Sequence, residues 1–171
     1  MMGGGDKDQA SVEEGSMEYD VQIHDVGSAP IAVIAGRATG SDLPKKIFSL
    51  LGAVRESLKK RSVGEMGLNV VLYNREPETD EGFSIEVGVG IATLLEADGD
   101  VVCSLTPAGP VAAVVHMGPY EQVPQAHKAL LRWCRENGHS TAGPNWEVYG
   151  HWNEQPDQRR TDVFYLLRKV S

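Results

Sequence analysis

The residues best suited to chemistry lie at positions 146–149, which read Trp-Glu-Val-Tyr. In an extended strand successive side chains point to opposite faces, so Glu147 and Tyr149 share one face. A carboxylate among aromatic rings in a partly dry groove binds cations through charge and through cation–π contact. The alternatives are a solvent-exposed strand glutamate, or one paired with an arginine such as Arg159 or Arg160. The pattern by itself leaves these interpretations open.

The orientation of the strand bears on this choice. Trp146, Val148 and Trp152 share the face opposite to Glu147, because side chains alternate along a strand. If the face of Trp146 and Val148 packs on the helices of the fold, Glu147 points into an open groove on the other face. We take that arrangement as the expectation.

The chain also repeats part of its own sequence, and the copies differ at Glu147. Residues 30–35 resemble residues 110–115, and residues 67–73 resemble residues 143–149. In this match Tyr73 is the counterpart of Tyr149, whereas Glu147 has Val71 as its counterpart. The repeat predicts two similar units about a pseudo-twofold axis, with the tyrosines either as walls of a cleft or as core residues. Only the second unit would bring a carboxylate to that cleft.

Two further positions of the second copy carry side chains of interest. His116 and Tyr120 flank a Gly-Pro turn between a strand and a helix, which either directs Tyr120 toward the groove or simply caps the helix. His127 stands on the apolar stripe of that helix, where the first copy has Ile47. We interpret His127 as a core residue whose polar atoms are satisfied, rather than as a ligand of anything bound.

Other catalytic and metal-binding patterns are missing from the sequence. The five histidines show no His-Glu-x-x-His spacing, so no zinc site is predicted. No serine lies in a Gly-x-Ser-x-Gly elbow, and the glycine-rich stretches lack the phosphate-loop pattern. We therefore predict neither a metal nor a cofactor.

The composition narrows the class of partner. The 171 residues carry a net charge of −8, which argues against binding to nucleic acid or to an anionic membrane surface. The two cysteines are too few for a disulfide framework, and we expect free thiols in a reducing compartment. No stretch is long and apolar enough to span a bilayer. A cytoplasmic location is the expectation.

The order of elements predicts one α+β domain. Residues 1–17, glycine-rich and acidic, read as a disordered tail, and residues 18–171 as a single domain with repeats at about 29–95 and 109–169. Each repeat reads strand–helix–strand–strand, which predicts an antiparallel sheet with two main helices on one face and a ligand groove at the repeat interface. The strands are expected near residues 20–26, 29–38, 66–75, 83–94, 111–117, 146–152 and 162–168, and the helices near 41–61 and 121–137.

A series of short motifs in the second half resembles a known family. In order they are His-Met-Gly-Pro-Tyr (116–120), Ala-Leu-Leu-Arg-Trp (129–133), Glu-Asn-Gly (136–138), Ala-Gly-Pro (142–144) and Trp-Glu-Val-Tyr (146–149). The chain resembles the GyrI-like small-molecule-binding family, the effector-binding domains of multidrug-sensing and AraC-type regulators, which also occur as stand-alone proteins. The resemblance implies the duplicated fold with a ligand groove between the repeats.

The resemblance also implies which residues bind ligand. The glutamate of the Glu-Val-Tyr motif, which in drug-sensing members is the buried counter-charge for lipophilic cations, matches Glu147, and the two motif tyrosines match Tyr149 and Tyr120. Tyr73 joins them by the internal symmetry, and His116 and Trp152 complete the predicted binding residues. A small lipophilic xenobiotic, cationic or aromatic, is the expected partner.

Three alternatives follow from similarity to other members of this fold. One subfamily resembles hydrolases of cyclopropane-bearing DNA-alkylating compounds, in which Glu147 would be the catalytic base. A second alternative is a protein inhibitor of DNA gyrase, and a third is a haem-binding protein. No DNA-binding segment precedes the domain in this sequence, so a stand-alone role without direct nucleic-acid contact is expected, as a monomer or a dimer and with room for a protein partner.

Overall fold

The computed structural model describes residues 18–64, 66–74 and 82–169. In chain order the regular elements are β1 (Gln22–Val26), β2 (Pro30–Ala38), α1 (Leu43–Lys60), β3 (Asn69–Tyr73), β4 (Phe83–Gly90), β5 (Val101–Leu105), β6 (Gly109–Met117), α2 (Val123–Glu136), β7 (Thr141–Tyr149) and β8 (Arg160–Leu167). Short 3-10 turns at Tyr120–Gln122 and Pro156–Gln158 precede α2 and β8. The tail at residues 1–17 and most of the β3–β4 connection lie outside the described residues.

The strands form one open antiparallel sheet in which the spatial order of the strands differs from their order in the chain. Together with the two helices, this sheet makes the fold α+β. The strand order is β1-β6-β8-β7-β3-β4-β2-β5, and every pairing is antiparallel. The order places β7 and β3 together at the centre, with one strand–helix–strand–strand half on each side. The internal repeat stays a prediction, and this strand order is the one that such a repeat would produce.

Both helices have a proline as their second residue and bury one apolar stripe. Pro44 and Pro124 stand in the first turns, where the missing amide proton costs no helical hydrogen bond. Helix α1 buries Val54 and Leu58, and α2 buries Ala126, Leu130, Cys134 and Val123. Full burial of one such aliphatic side chain is worth about 1.5–3 kcal/mol. Each helix is therefore held to the sheet mainly by its apolar stripe.

The two helices lie on the same face of the sheet, one over each half. Helix α1 packs on β2 and β4, and α2 packs on β6 and β8. Val71 belongs to the core beneath α1, and Val163 to the core beneath α2. Glu147 pairs with both of these valines, and cross-strand partners share a face. Glu147 on the central strand β7 thus lies where the core beneath α1 meets the core beneath α2.

The opposite face has an apolar core of its own. Its buried members come from both halves, namely Ile31, Val33, Val70, Leu72, Val111 and Trp146. The Trp146 and Phe164 rings stack there with centroids 5.3 Å apart. Strands β3 and β7 therefore bury side chains on both faces.

Several element boundaries differ from the sequence expectation. Strand β5 was expected only as a crossing segment, but it pairs along β2 and forms one edge of the sheet. Strand β7 begins at Thr141, before the predicted start at 146, and an irregularity in its pairing with β8 falls between Thr141 and Asn145. Glycine and proline, which stand here at 143 and 144, are disfavoured inside a regular strand. No helix in the described part of the chain has the length and apolar character needed to cross a membrane.

Candidate ligand-binding site

Glu147 is a buried carboxylate in a row of aliphatic side chains. Across the sheet the row contains Ile34, Val87, Val71, Glu147, Val163 and Val114. Only 5% of Glu147 is exposed to solvent. Burying a charged carboxylate is costly unless its oxygens accept hydrogen bonds or face an opposite charge. The fold therefore needs compensating groups around Glu147, and it supplies them.

The expected orientation of β7 is wrong. Trp146 and Val148 pack in the core of the helix-free face, and Glu147 points to the face that carries both helices. Alternation along the strand could not decide between the faces because β7 is buried on both of them. Glu147 nevertheless lies at the interface of the two halves, between the cores of α1 and α2 rather than on an open face.

Three side chains form hydrogen bonds with the Glu147 carboxylate. The Tyr149 hydroxyl lies 2.5 Å from Oε1, and the Tyr73 hydroxyl lies 3.4 Å from the same oxygen. The His127 Nε2 lies 2.6 Å from Oε2. An ionised carboxylate accepts hydrogen bonds and donates none, so beside a charged Glu147 the protons of these contacts lie on the two tyrosine hydroxyls and on the His127 Nε2.

His127 connects Glu147 to a further tyrosine. Its Nδ1 lies 2.7 Å from the Tyr165 hydroxyl, and the His127 and Tyr165 rings meet edge to face with centroids 5.5 Å apart. His127 is thus satisfied, as the sequence suggested, but its partner is the candidate binding residue itself. The replacement of Ile47 by His127 between the copies was the available signal, whereas the position of Tyr165 left none beyond strand alternation.

The surroundings keep the two tyrosine hydroxyls protonated. Burial raises the pKa of Tyr73 and of Tyr149 well above the ordinary value, and the negative charge of Glu147 raises both further. A tyrosinate beside Glu147 would place two negative charges together away from water. Both hydroxyls therefore remain available as donors at neutral pH.

An outer layer of aromatic rings adjoins Tyr149. The Tyr120 ring meets Tyr149 edge to face at 5.5 Å, and Trp152 lies 6.4 Å from Tyr120. Trp152 is 67% exposed, an unusual state for so large an apolar side chain. The Arg159 guanidinium stands 4.0 Å above the Trp152 ring and 5.4 Å from the Tyr120 ring centre. The structure thus brings together Glu147, Tyr73, Tyr149, Tyr120 and Trp152.

The arginines considered as partners of Glu147 are engaged elsewhere. Arg159 stacks on the aromatic rings, and Arg160 pairs with Asp162 at 2.7 Å. Within the described residues, the ion-pair partner of Glu147 is His127, which carries a charge only when protonated. The interpretation of Glu147 as an exposed or arginine-paired glutamate is therefore wrong.

His116 lies apart from this group. It is fully buried two strands away, and it faces Thr161 rather than β7. Its Nδ1 lies 2.9 Å from the Tyr19 hydroxyl, and its Nε2 lies 3.1 Å from the Pro119 carbonyl oxygen. Both ring nitrogens are occupied within the fold, so we leave His116 out of the candidate site.

Neighbouring side chains enclose the Glu147 carboxylate in this structure. An apolar cleft of about 300 Å³ lies on the helix-free face beside Trp146 and Phe164, and Glu147 takes no part in it. The carboxylate of Glu147 is covered by the side chains that contact it. Among the described residues, no group of three His, Cys, Asp or Glu side chains is arranged to hold a metal ion.

The sequence matches a family model for the GyrI-like small-molecule-binding domain over residues 19–167. The chain belongs to the GyrI-like family. No curated protein sequence matches it significantly. The alignment covers both helices and the whole sheet, so the site around Glu147 lies inside a GyrI-like small-molecule-binding domain.

Solved structures share the fold at low sequence identity. The C-terminal domain of EcmrR has a TM-score of 0.75 at 20% identity, over 90% of this chain and 100% of that domain. SAV2435, solved with tetraphenylphosphonium bound, has a TM-score of 0.60 at 14% identity, over 89% and 94% of the two chains. A hydrolase from Listeria innocua has a TM-score of 0.58 at 12% identity, over 86% and 91%. These similarities establish the GyrI-like fold.

Proposed function

We propose that this GyrI-like protein binds lipophilic cationic or aromatic xenobiotics between its two helices, with Glu147 as the counter-charge. The observation that carries the proposal is a buried carboxylate whose hydrogen-bond donors are tyrosines and a histidine rather than lysine or arginine. No permanently charged side chain among the described residues neutralises Glu147. A cation that brings its own apolar surface would supply the missing charge.

The choice of a lipophilic cation follows from desolvation. A compact ammonium ion loses strong hydration on entering a buried site, whereas a cation of spread charge and aromatic surface loses far less. Aromatic faces then attract the cation, with about 0.5–1 kcal/mol per contact at exposed positions and about 2 or more when it is desolvated. Tyr73, Tyr149, Tyr120 and Trp152 would provide those faces.

Calorimetric titration with tetraphenylphosphonium, the compound bound to SAV2435, tests the proposal. We expect Glu147→Gln to weaken binding by about ten- to a hundredfold, since a buried charge pair lost is worth a few kcal/mol and 1.4 kcal/mol is about tenfold. Neutral triphenylphosphine oxide should bind both proteins equally. Glu136→Gln, which removes the same charge from an exposed position, is the matched control. Equal cation affinity in Glu147→Gln and the parent protein would contradict the proposal.

A second candidate is hydrolysis of a strained cyclopropane, supported by the 2.5 Å contact between the Tyr149 hydroxyl and Glu147. Glu147 would take a proton from a water molecule whose oxygen bonds to one ring carbon. The ring carbon–carbon bond breaks, and its electron pair ends on the rest of the molecule, where Tyr149 can place a proton. Mass spectrometry would detect addition of one water to a cyclopropane-bearing alkylator. A rate equal to that in buffer alone would exclude this substrate class.

A further inference from the structure

Arg159 occupies the outer aromatic surface of the site with a cation that belongs to the protein. Its guanidinium lies 4.0 Å from the Trp152 ring centre and 5.4 Å from that of Tyr120. Both distances are within the range of cation–π attraction. The Arg159 Nε donates to the Asn153 carbonyl oxygen at 2.9 Å. No carboxylate in the described residues forms a salt bridge with Arg159, so the rings are its main electrostatic partners there.

These rings lead directly to Glu147. Tyr120 touches Tyr149 edge to face, and the Tyr149 hydroxyl donates to the carboxylate. A cation that approaches Glu147 from the side of Trp152 therefore meets rings already occupied by a guanidinium. It also meets the positive charge of that guanidinium, and like charges repel. Displacement and repulsion both act against an incoming cation, and only displacement acts against a neutral aromatic compound.

We propose that Arg159 is an internal competitor of cationic ligands, holding the Trp152 and Tyr120 faces until a ligand cation displaces it. This inference rests on the proposed function, because it assumes that cations approach Glu147. The same arrangement would make Arg159 a specificity-determining residue. Compact hydrophilic cations gain too little from the rings to displace a guanidinium, whereas large aromatic cations gain enough.

The prediction concerns the sign of the effect as well as its size. Arg159→Gln should bind tetraphenylphosphonium about two- to tenfold more tightly, which corresponds to the usual strength of one cation–π contact. The gain should lie mainly in the association rate, because the barrier is displacement of Arg159. Triphenylphosphine oxide should gain less. If Arg159 merely supported the rings, its loss would weaken both compounds.

Calorimetry and stopped-flow fluorescence should compare the parent protein with Arg159→Gln, Arg159→Lys and Arg160→Gln. Arg160 is the matched control, since it carries the same charge one residue away and pairs with Asp162. Arg159→Lys keeps the charge but stacks less well, so its affinity should be intermediate. Arg159→Lys also serves as the test if Arg159→Gln does not fold. Circular dichroism establishes the fold of each variant.

The outcomes separate this inference from the proposed function. If the parent protein binds the cation, Glu147→Gln weakens it and Arg159→Gln leaves it unchanged or weaker, the role of Arg159 is overturned and the function stands. An equal gain in Arg160→Gln also overturns it, because net charge would then explain the effect. If Arg159→Gln binds the cation more tightly but Glu147→Gln does not change the affinity, the proposed role of Arg159 is supported. The same result contradicts the role of Glu147 as counter-charge. Absence of binding in every variant overturns both.

Discussion

The chemistry of Glu147 depends on three hydrogen-bond donors of unequal quality. The Tyr149 and His127 contacts are short, at 2.5 and 2.6 Å, whereas that of Tyr73 is 3.4 Å. The raised pKa of both tyrosines keeps their hydroxyls protonated. The Glu147 carboxylate is thus held in place by hydrogen-bonding side chains that a ligand can rearrange, rather than by a fixed cation.

The raised tyrosine pKa values predict how stability depends on pH. The folded protein retains the Tyr73 and Tyr149 protons above about pH 10, where tyrosines of the unfolded chain release theirs. Their contribution to stability is therefore complete below about pH 10 and falls as the pH rises toward the folded-state values. Absorbance titration at alkaline pH should show late-ionising tyrosines, one fewer in Tyr149→Phe. Ionisation of every tyrosine near pH 10 in the folded protein would contradict this.

His127 should matter for stability as well as for binding. Replacing it by leucine removes one donor from a buried carboxylate and leaves the Tyr165 hydroxyl without that contact. We expect His127→Leu to lower the free energy of unfolding by about 1–3 kcal/mol, the usual cost of an unsatisfied buried group. His127→Gln keeps a donor and should cost less. Urea denaturation measures both, and equal stability of His127→Leu and the parent protein would show that this contact contributes nothing.

At the scale of elements, the close approach of β2 and β4 sets a strict requirement for glycine. A Cβ atom at Gly88 would lie 1.7 Å from the Ala32 carbonyl oxygen, which is far inside contact distance. Gly88 pairs with both Val33 and Val70 and so stands in the middle of the first half of the sheet. The sequence suggested no function for this glycine, and its role is the backbone approach.

Gly88→Ala should therefore be severely destabilising. The backbone of β2 must move away from β4, and we expect a loss of about 3 kcal/mol or more, within the range of overpacked and strained sites. Gly90→Ala is the matched control, because its nearest neighbour, the Gly67 Cα, would lie at an ordinary 3.8 Å. Thermal unfolding compares the two, and similar losses in both variants would contradict the structural explanation.

Much of the whole molecule could be predicted from periodicity. The stripe of α1, the turn before α2 and the runs of β2 and β6 each follow a local pattern that the fold preserves. Strand β5 could not be recognised, because an edge strand of only five residues between a turn and a proline resembles a loop. The face of the sheet to which Glu147 points could not be derived either, since it depends on a second core on the other side of the sheet.

The sequence could predict the central residue of the candidate site but not the contacts that this residue makes. The difference between Val71 and Glu147 indicated a charge at the centre, and the structure pairs these two residues directly. The sequence could not show that His127 and Tyr165 meet this carboxylate, because contacts between α2, β7 and β8 depend on tertiary packing. His116 shows the reverse case, a motif residue whose polar atoms are used within the fold.

The most direct test of a cation beside Glu147 is a crystal structure with tetraphenylarsonium, whose arsenic atom can be located by anomalous scattering. We predict one arsenic peak between α1 and α2, next to the Glu147 carboxylate, with the Tyr149 or Tyr120 ring displaced and Arg159 moved off Trp152. An arsenic peak in the apolar cleft beside Trp146 and Phe164, with Glu147 still held by Tyr149 and His127, would contradict the central claim.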